Sequence, residues 1–117
     1  MNKKTGKIGE KYAKKFLLKQ KYKFITENYY SRFGEIDLIF FDNQELVFVE
    51  VKTRKNDFFG TAEEALTISK KRKIIKTLLY FLNSASKKQY SSWRIDLISV
   101  KLDYRNKIPE INHIKNI

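Results

Sequence analysis

Two acidic residues and a lysine fall on one face of two neighbouring predicted strands. Residues 34–41 and 45–54 are rich in β-branched and aromatic side chains, and a short polar break separates them, which is typical of a β-hairpin. Because side chains along a strand alternate between faces, Asp37 lies on one face of the first strand, and Glu50 and Lys52 share a face of the second. Carboxylate oxygens without histidine or cysteine suit Mg²⁺ or Mn²⁺, and a neighbouring ammonium group could stabilise an attacking hydroxide or charge on phosphorus.

The register of this hairpin determines whether the two carboxylates meet. Pairing Phe41 with Leu46 fits either a two-residue turn at 43–44 or a four-residue loop, and it places Asp37 directly opposite Glu50. A slip of one residue would mix the apolar and charged rows, so the alternation favours this register. Like charges opposed across a sheet destabilise it by up to about 1 kcal/mol. We therefore expect a compensating group, for which a divalent cation is the first candidate.

A second interpretation of the same face needs no cation. The register also places Glu35 opposite Lys52, and Arg54 falls on the same face as Glu50. These side chains could form a solvent-facing cluster of salt bridges, Glu35 with Lys52 and Glu50 with Arg54. The residue pattern alone leaves both interpretations open.

The first predicted helix carries an acidic residue on its apolar side. Residues 7–20 place apolar side chains at helical spacing with lysines outside them. The predicted buried stripe consists of Ile8, Tyr12, Ala13, Phe16 and Leu17. Glu10 projects within about 20° of Leu17 around the helix axis. The helix dipole could favour an acid in these first turns, or Glu10 could point inward as a third acidic group of the hairpin site.

The second predicted helix is basic where it begins. Thr61-x-x-Glu64 has the form of a capping box, Thr67 is a second N-cap candidate, and the main helix extends to about Asn83. Its predicted buried stripe consists of Ile74, Ile75, Leu78, Leu79 and Leu82. Its early exposed side carries Lys70, Lys71, Arg72, Lys73 and Lys76. Such a cluster could be a solvated face, but beside the acidic hairpin we expect it to contact a nucleic-acid backbone.

The predicted elements form one α/β domain over residues 1–117. Further strands are expected at about 23–30, 93–100 and 108–114, the last at an edge of the sheet because of Pro109. The order is α-β-β-β-α-β-β, which predicts a mixed central sheet flanked by helices.

Composition limits the classes of partner and of metal site. There are no cysteines and one histidine, so disulfides, thiolate sites and a zinc site built on histidine alone are excluded, and a cytoplasmic location is expected. The formal charge of +12 points to a polyanion. No apolar run is long enough to span a membrane, and no helix combines a wide apolar face with a basic one, so nucleic acid is favoured over a membrane.

A wider set of motifs resembles a known family. The set comprises Gly6-x-x-Gly9-Glu10, Asn28, Gly34-Glu35-Ile36-Asp37-Leu38-Ile39, Phe48-Val49-Glu50-Val51-Lys52-Thr53-Arg54, Glu64-Ala65, Lys70 and Arg94-Ile95-Asp96. It resembles the YraN family of small bacterial proteins, within the PD-(D/E)XK, or restriction-endonuclease-like, nuclease superfamily, and is similar in core to archaeal Holliday-junction resolvases. The likeness covers nearly the whole chain.

The resemblance implies a restriction-endonuclease-like fold and a metal-dependent phosphodiesterase site. Asp37 and Glu50 would be the metal ligands, Lys52 the catalytic lysine and Glu10 a supporting acid. Two basic residues would face phosphates, namely Lys70 and Arg54. Asp96 also matches the family, but its strand face suggests only a structural role.

Three functional hypotheses follow from the residues and the resemblance. The first is an Mg²⁺- or Mn²⁺-dependent DNA endonuclease, acting on branched or otherwise irregular DNA in repair or recombination. The second is a module that keeps the nuclease fold but only binds nucleic acid. The third is a protein-interaction subunit or homodimer, for which the loop residues Phe58 and Phe59 are the nearest interface candidates.

Overall fold

The computed structural model describes residues 3–56, 58, 60–84, 92–103, 105 and 108–117. The elements in chain order are α1 (Lys3–Lys19), β1 (Lys23–Ser31), β2 (Gly34–Asp42), β3 (Glu45–Arg54), α2 (Ala62–Ala65), α3 (Ile68–Ser84), β4 (Ser92–Lys101) and β5 (Glu110–Ile114). The predicted α/β class is confirmed, and the short helix α2 is an addition to the predicted order. No helix in the described ranges is long and apolar enough to cross a membrane.

The sheet is mixed, with its strands in sequence order from β1 to β5. Strands β3 and β4 run parallel, and the other neighbouring pairs are antiparallel. The parallel pair requires a crossover, which α3 supplies. Strand β5 lies at one edge, as Pro109 predicted, and it starts directly after that residue.

Two apolar clusters cover opposite faces of the sheet, and each faces one long helix. Alternate residues of β3 show this division: Val47 and Val49 pack with α1, whereas Leu46 and Phe48 pack with α3. The period-2 pattern therefore predicted the two faces of this central strand correctly. The helix α1 contributes Ala13 and Leu17 to its cluster, and α3 contributes Ile74, Leu78 and Phe81.

The predicted buried stripe of α1 is partly wrong. Ile8 and Tyr12 are 40% and 37% exposed, and the buried positions are Gly9, Ala13 and Leu17. The helix turns its glycine toward β3, because a Cβ at Gly9 would lie 1.8 Å from Thr53 Oγ1. The predicted stripe consisted of apolar side chains and therefore omitted Gly9, whose missing side chain permits the close approach of α1 to β3.

The predicted stripe of α3 also shifts by a fraction of a turn. Leu79 is 47% exposed, whereas Thr77 and Phe81 are buried. The Phe81 ring packs edge-on against Tyr29 and Phe48. Thr77 can be buried because its hydroxyl is hydrogen-bonded.

Both predicted N-caps are confirmed. Thr61 and Glu64 form a reciprocal capping box at α2, and the Thr67 hydroxyl accepts a hydrogen bond from the Lys70 N–H at the start of α3. Phe58, the nearest candidate for an interface residue, is 85% exposed, and Phe59 lies outside the described residues. The dimer stays a prediction.

We expect Gly9→Ala to destabilise the fold by about 1–3 kcal/mol, the usual effect of overpacking, because its methyl group would overlap Thr53. Gly6→Ala is the matched control on the same helix, since nothing lies within 4 Å of a Cβ there. That substitution should stabilise α1 by about 0.5–1 kcal/mol. Urea unfolding of the two variants measures both effects, and equal stabilities would contradict the close packing of α1 on β3.

Candidate active site

The hairpin of β2 and β3 has the predicted register in its outer part. Ile39 pairs with Phe48 and Phe41 with Leu46. The connection is the two-residue turn 43–44, in which both residues have positive φ values of 50° and 67°. The ladder ends, however, with Leu38 opposite Val49.

Beyond that pair, a side chain replaces the backbone as hydrogen-bond partner. The Asp37 Oδ2 atom accepts a hydrogen bond of 2.8 Å from the Val51 N–H. The predicted ladder pairs of Asp37 with Glu50 and of Glu35 with Lys52 are therefore absent from the β2–β3 ladder, and this part of the prediction is wrong. Because the carboxylate occupies the N–H that a neighbouring carbonyl would use, the two strands part here.

The parted strands leave room for four carboxylates, which we call the acidic notch: Glu10, Glu35, Asp37 and Glu50. One oxygen from each of Glu10, Glu35 and Asp37 lies within 4.8 Å of the other two. Glu10 thus reaches the hairpin from α1, which agrees with the alternative that it points inward. Glu35 was expected only as a partner of Lys52, although it shares a strand face with Asp37 and could have been found by that signal.

Asn28 holds two of these carboxylates in place. Its Nδ2 atom donates to Glu10 Oε1 and to Glu35 Oε1, both at 3.1 Å. The residue has a φ of +50°, a conformation that asparagine tolerates better than most residues. Asn28 belonged to the family-like motif set, but sequence reasoning gave it no role.

Glu50 enters the notch from the side of α3. It is only 8% exposed, and its Oε1 atom lies 3.0 Å from the Lys70 ammonium group. A cavity of about 420 Å³ opens here, lined by Gly34, Glu35, Asp37, Glu50, Thr67, Ser69, Lys70, Lys73 and Ile74. The structure therefore brings the predicted pair Asp37 and Glu50 to one cavity, although not as a ladder pair.

Burial makes two carboxylates of the notch, those of Asp37 and Glu50, hard to ionise. It raises the pKa of Asp37 to about 8, the Glu50 charge adds to the effect, and the Val51 N–H opposes it. Burial likewise raises the pKa of Glu50, although Lys70 and Lys52 pull in the opposite direction. In the absence of a bound cation, Asp37 and Glu50 therefore retain protons at pH values where ordinary carboxyl groups lose them.

The remaining basic residues separate into those at the cavity and those away from it. Lys70 and Lys73 line it, whereas Lys71 does not. Among the described residues, the partly exposed Lys52 ammonium has no hydrogen bond or ion pair, and its charge acts on Glu50. Arg54 donates to the Gly60 carbonyl and, at 3.2 Å, to Ser99 Oγ. It therefore braces the loop before α2.

These partners exclude the predicted alternative of a solvent-facing salt-bridge cluster. Glu50 is buried and pairs with Lys70, and Arg54 binds Gly60 and Ser99. The long-range contact to α3 could not be deduced from strand alternation, which orders residues only within the sheet.

Asp96 is fully buried and lies at the centre of a separate network. It accepts hydrogen bonds from Arg94 Nε at 3.0 Å and from the Asn116 N–H at 3.0 Å, and it lies 2.7 Å from His113 Nε2. Burial alone would raise the pKa of Asp96, but the hydrogen bonds from His113 and Arg94 hold it below its usual value. Its contacts join β4 to the C-terminal segment, which agrees with the expected structural role.

The fold and the site together define a small α/β protein whose central sheet parts around a cluster of partly buried carboxylates. Residues 9–100 match the uncharacterised protein family UPF0102. A UPF0102 protein of Vibrio parahaemolyticus is 43% identical over 112 residues, which cover 93% of this chain and 89% of that protein. One from Caldanaerobacter subterraneus is 42% identical over 118 residues, covering 99% and 96% of the two chains. The chain belongs to the UPF0102, or YraN, family, and the matched region contains every carboxylate of the notch.

We expect the stability of the metal-free protein to fall as the pH rises from about 4 toward 8. A carboxyl group with a raised pKa in the folded state stabilises that state at low pH, and this stabilisation is lost as the pH passes from the unfolded value through the folded one. Asp37→Asn, which can still accept the Val51 N–H, should therefore be more stable than the wild type near pH 8, by about 1–3 kcal/mol.

Urea unfolding in the presence of EDTA measures this difference. Near pH 4 the two proteins should differ little, because Asp37 is then protonated. Glu63→Gln on the exposed side of α2 serves as control and should follow the wild type at both pH values. A pH dependence unchanged by Asp37→Asn would contradict the buried acid.

Proposed function

We propose that this chain is a divalent-metal-dependent nuclease with a restriction-endonuclease-like fold, which hydrolyses phosphodiester bonds in DNA. The observation that carries the proposal is the convergence of Glu10, Glu35 and Asp37, with oxygens within 4.8 Å of one another, beside a cavity bordered by lysines. A hairpin followed by a helix and a parallel strand supports the fold assignment, together with the motif likeness described above.

The donor set of the notch fits Mg²⁺ or Mn²⁺. Its ligands are carboxylate oxygens, which hard cations prefer, and the chain has no cysteine. Asp37 would hold the ion together with Glu10 and Glu35, or with Glu50 where Lys70 moves aside. A bound ion of this type lowers the pKa of a coordinated water and neutralises charge on a phosphoryl group.

The lysines near the notch have separate tasks in the proposed reaction. Lys52, whose charge acts on Glu50, would stabilise an attacking hydroxide or the charge on phosphorus. Lys70 and Lys73 border the cavity and would hold the phosphate group that is cut. Lys70 can exchange the Glu50 carboxylate for a phosphate oxygen, because its ammonium group is partly exposed.

Nucleic acid is the proposed partner because of the chain's charge and its distribution. The formal charge is +12. The first turns of α3 place two lysines, Lys70 and Lys73, in the lining of the cavity that also contains carboxylates of the notch. Branched or otherwise irregular DNA is the proposed substrate on the strength of the likeness to junction resolvases.

Cleavage of labelled junction, flap, single-stranded and duplex DNA with Mg²⁺ or Mn²⁺ tests the enzyme. Asp37→Asn, Glu50→Gln and Lys52→Gln should each lower the cleavage rate by at least about 100-fold, because each removes a charge from the reacting centre. Asp103→Asn is the control, since Asp103 binds Arg105 away from the notch, and it should cut like the wild type. Equal inactivity, or equal activity, of the wild type and all three variants would refute the enzyme.

The ion pair of Lys70 with Glu50 favours a second candidate function. An internal cation already compensates one carboxylate of the notch, which is what a nucleic-acid-binding module without metal would need. Such a module would bind DNA in a salt-dependent manner and would show neither metal dependence nor cleavage.

Calorimetric titration with Mn²⁺ distinguishes the two functions and identifies the ligands. For the nuclease, Glu35→Gln should abolish measurable binding, and Asn28→Ala should weaken it by about 10- to 100-fold, because an outer hydrogen-bond partner orients the ligands. Glu50→Gln shows whether Glu50 is a ligand as well. Glu63→Gln should bind normally. The wild type should release no binding heat if the chain is only a binding module.

A further inference from the structure

The turn between β1 and β2 is fastened to α3 by a chain of hydroxyl groups. Thr77 Oγ1 donates to the Lys73 carbonyl at 2.9 Å, so it must accept the hydrogen bond of 2.9 Å that joins it to Ser31 Oγ. Ser31 Oγ in turn accepts from the Phe33 N–H at 3.0 Å. Thr77 is fully buried, so its hydroxyl group is held in place by the surrounding residues and fixes the turn to the helix.

One aromatic ring of this turn, that of Phe33, contacts two cations, Arg32 from the turn itself and Lys76 from α3. The Arg32 guanidinium carbon lies 4.9 Å from the centre of the Phe33 ring, and the Lys76 ammonium group lies 5.5 Å from it. Both distances lie within the range of cation–π contacts. The two positive charges are therefore held in place at the tip of the β1–β2 hairpin.

An exposed aromatic residue lies along β1 between this turn and Asn28, which binds carboxylates of the acidic notch. Tyr30 is 65% exposed, although it lies within a strand and directly opposite Glu35 in the β1–β2 ladder. A hydrogen bond to Glu35 and the charge of that residue raise the pKa of the Tyr30 hydroxyl. The next strand residue inward on the same face is Asn28, which binds Glu10 and Glu35. The ring is thus adjacent to the carboxylates but is not part of the core.

We propose that Tyr30, Arg32, Phe33 and Lys76, here called the hairpin platform, bind an unpaired nucleic-acid strand and lead it into the acidic notch. This inference rests on the proposed function, whose substrate it narrows to DNA with unpaired nucleotides next to the bond that is cut. An exposed ring can stack on a base only if that base is not already stacked within a duplex. The cations at the tip can follow the strand's phosphates.

The chemistry of the platform favours an unpaired strand over the alternatives. A duplex presents mainly its phosphates to a convex hairpin tip, so it would use Arg32 and Lys76 but would leave the Tyr30 ring without a partner. An acidic peptide would likewise use the cations and would gain little from the flat face of an exposed ring. An aromatic ring next to clustered cations is the combination that single-strand binding proteins use.

The test measures binding separately from cleavage. Fluorescence anisotropy in EDTA and in Ca²⁺ compares a labelled single strand with the matched duplex, and a single strand carrying 2-aminopurine reports stacking through quenching. The single strand should bind more tightly than the duplex. Tyr30→Leu should weaken single-strand binding by about 5- to 100-fold and remove the quenching, because the ring that stacks on a base is removed. It should change duplex binding little.

Matched variants separate stacking from charge and from folding. Tyr30→Phe keeps the ring and should bind and quench like the wild type. Tyr12→Leu makes the same kind of change on the outer side of α1, where Tyr12 is 37% exposed, and should also leave binding unchanged. Arg32 and Lys76 should also be replaced together by glutamine. The slope of the logarithm of the single-strand binding constant against the logarithm of the salt concentration should then become shallower by about 0.7 for each phosphate that the protein no longer neutralises.

The outcomes also separate this inference from the proposed nuclease. Equal affinity for single strand and duplex, or equal binding by Tyr30→Leu and Tyr30→Phe, overturns the platform even if the protein cuts DNA. Preferential binding of an acidic peptide overturns it as well. Selective, Tyr30-dependent binding without cleavage in any metal supports the platform and refutes the nuclease.

Discussion

The hydrogen bond from the Val51 N–H to the Asp37 carboxylate is the interaction on which the arrangement of the site depends. A continuous sheet would keep its two faces apart, with the side chains of α1 and α3 on opposite sides. Because Asp37 replaces a backbone partner, β2 and β3 separate after Leu38 and Val49, and groups from both faces meet. Glu10 reaches the opening from α1, and Glu50 with Lys70 reaches it from the side of α3.

Two close contacts fix the helices that supply these groups. On one side, Gly9 lets the backbone of α1 approach Thr53, which places the next residue, Glu10, at the opening. On the other, the buried Thr77 hydroxyl joins α3 to the turn before β2. A side chain in place of Gly9 would hold α1 away from β3. Functional side chains on rigid elements are positioned more accurately than those on loops, and here each long helix is held by such a contact.

Strand alternation and turn chemistry predicted much of the fold, since they depend on neighbours along the chain. The register at Phe41 and Leu46 and the caps at Thr61 and Thr67 followed from such local patterns. What could not be predicted was set by contacts between distant segments. The contact of Lys70 with Glu50 joins residues that only the crossover through α3 brings together.

The overall charge of the chain does not neutralise its acidic notch. Despite a formal charge of +12, burial still raises the pKa values of Asp37 and Glu50. Exposed lysines farther than about 10 Å away are screened by salt, so only a cation in contact, as Lys70 is with Glu50, acts strongly. The exposed lysines and the carboxylates of the notch therefore have different electrostatic effects. The surface lysines attract a polyanion over long range, but they are too distant to compensate the negative charge of ionised carboxylates in the notch. In the proposed nuclease, this uncompensated charge is what allows a metal ion to bind within a strongly basic protein.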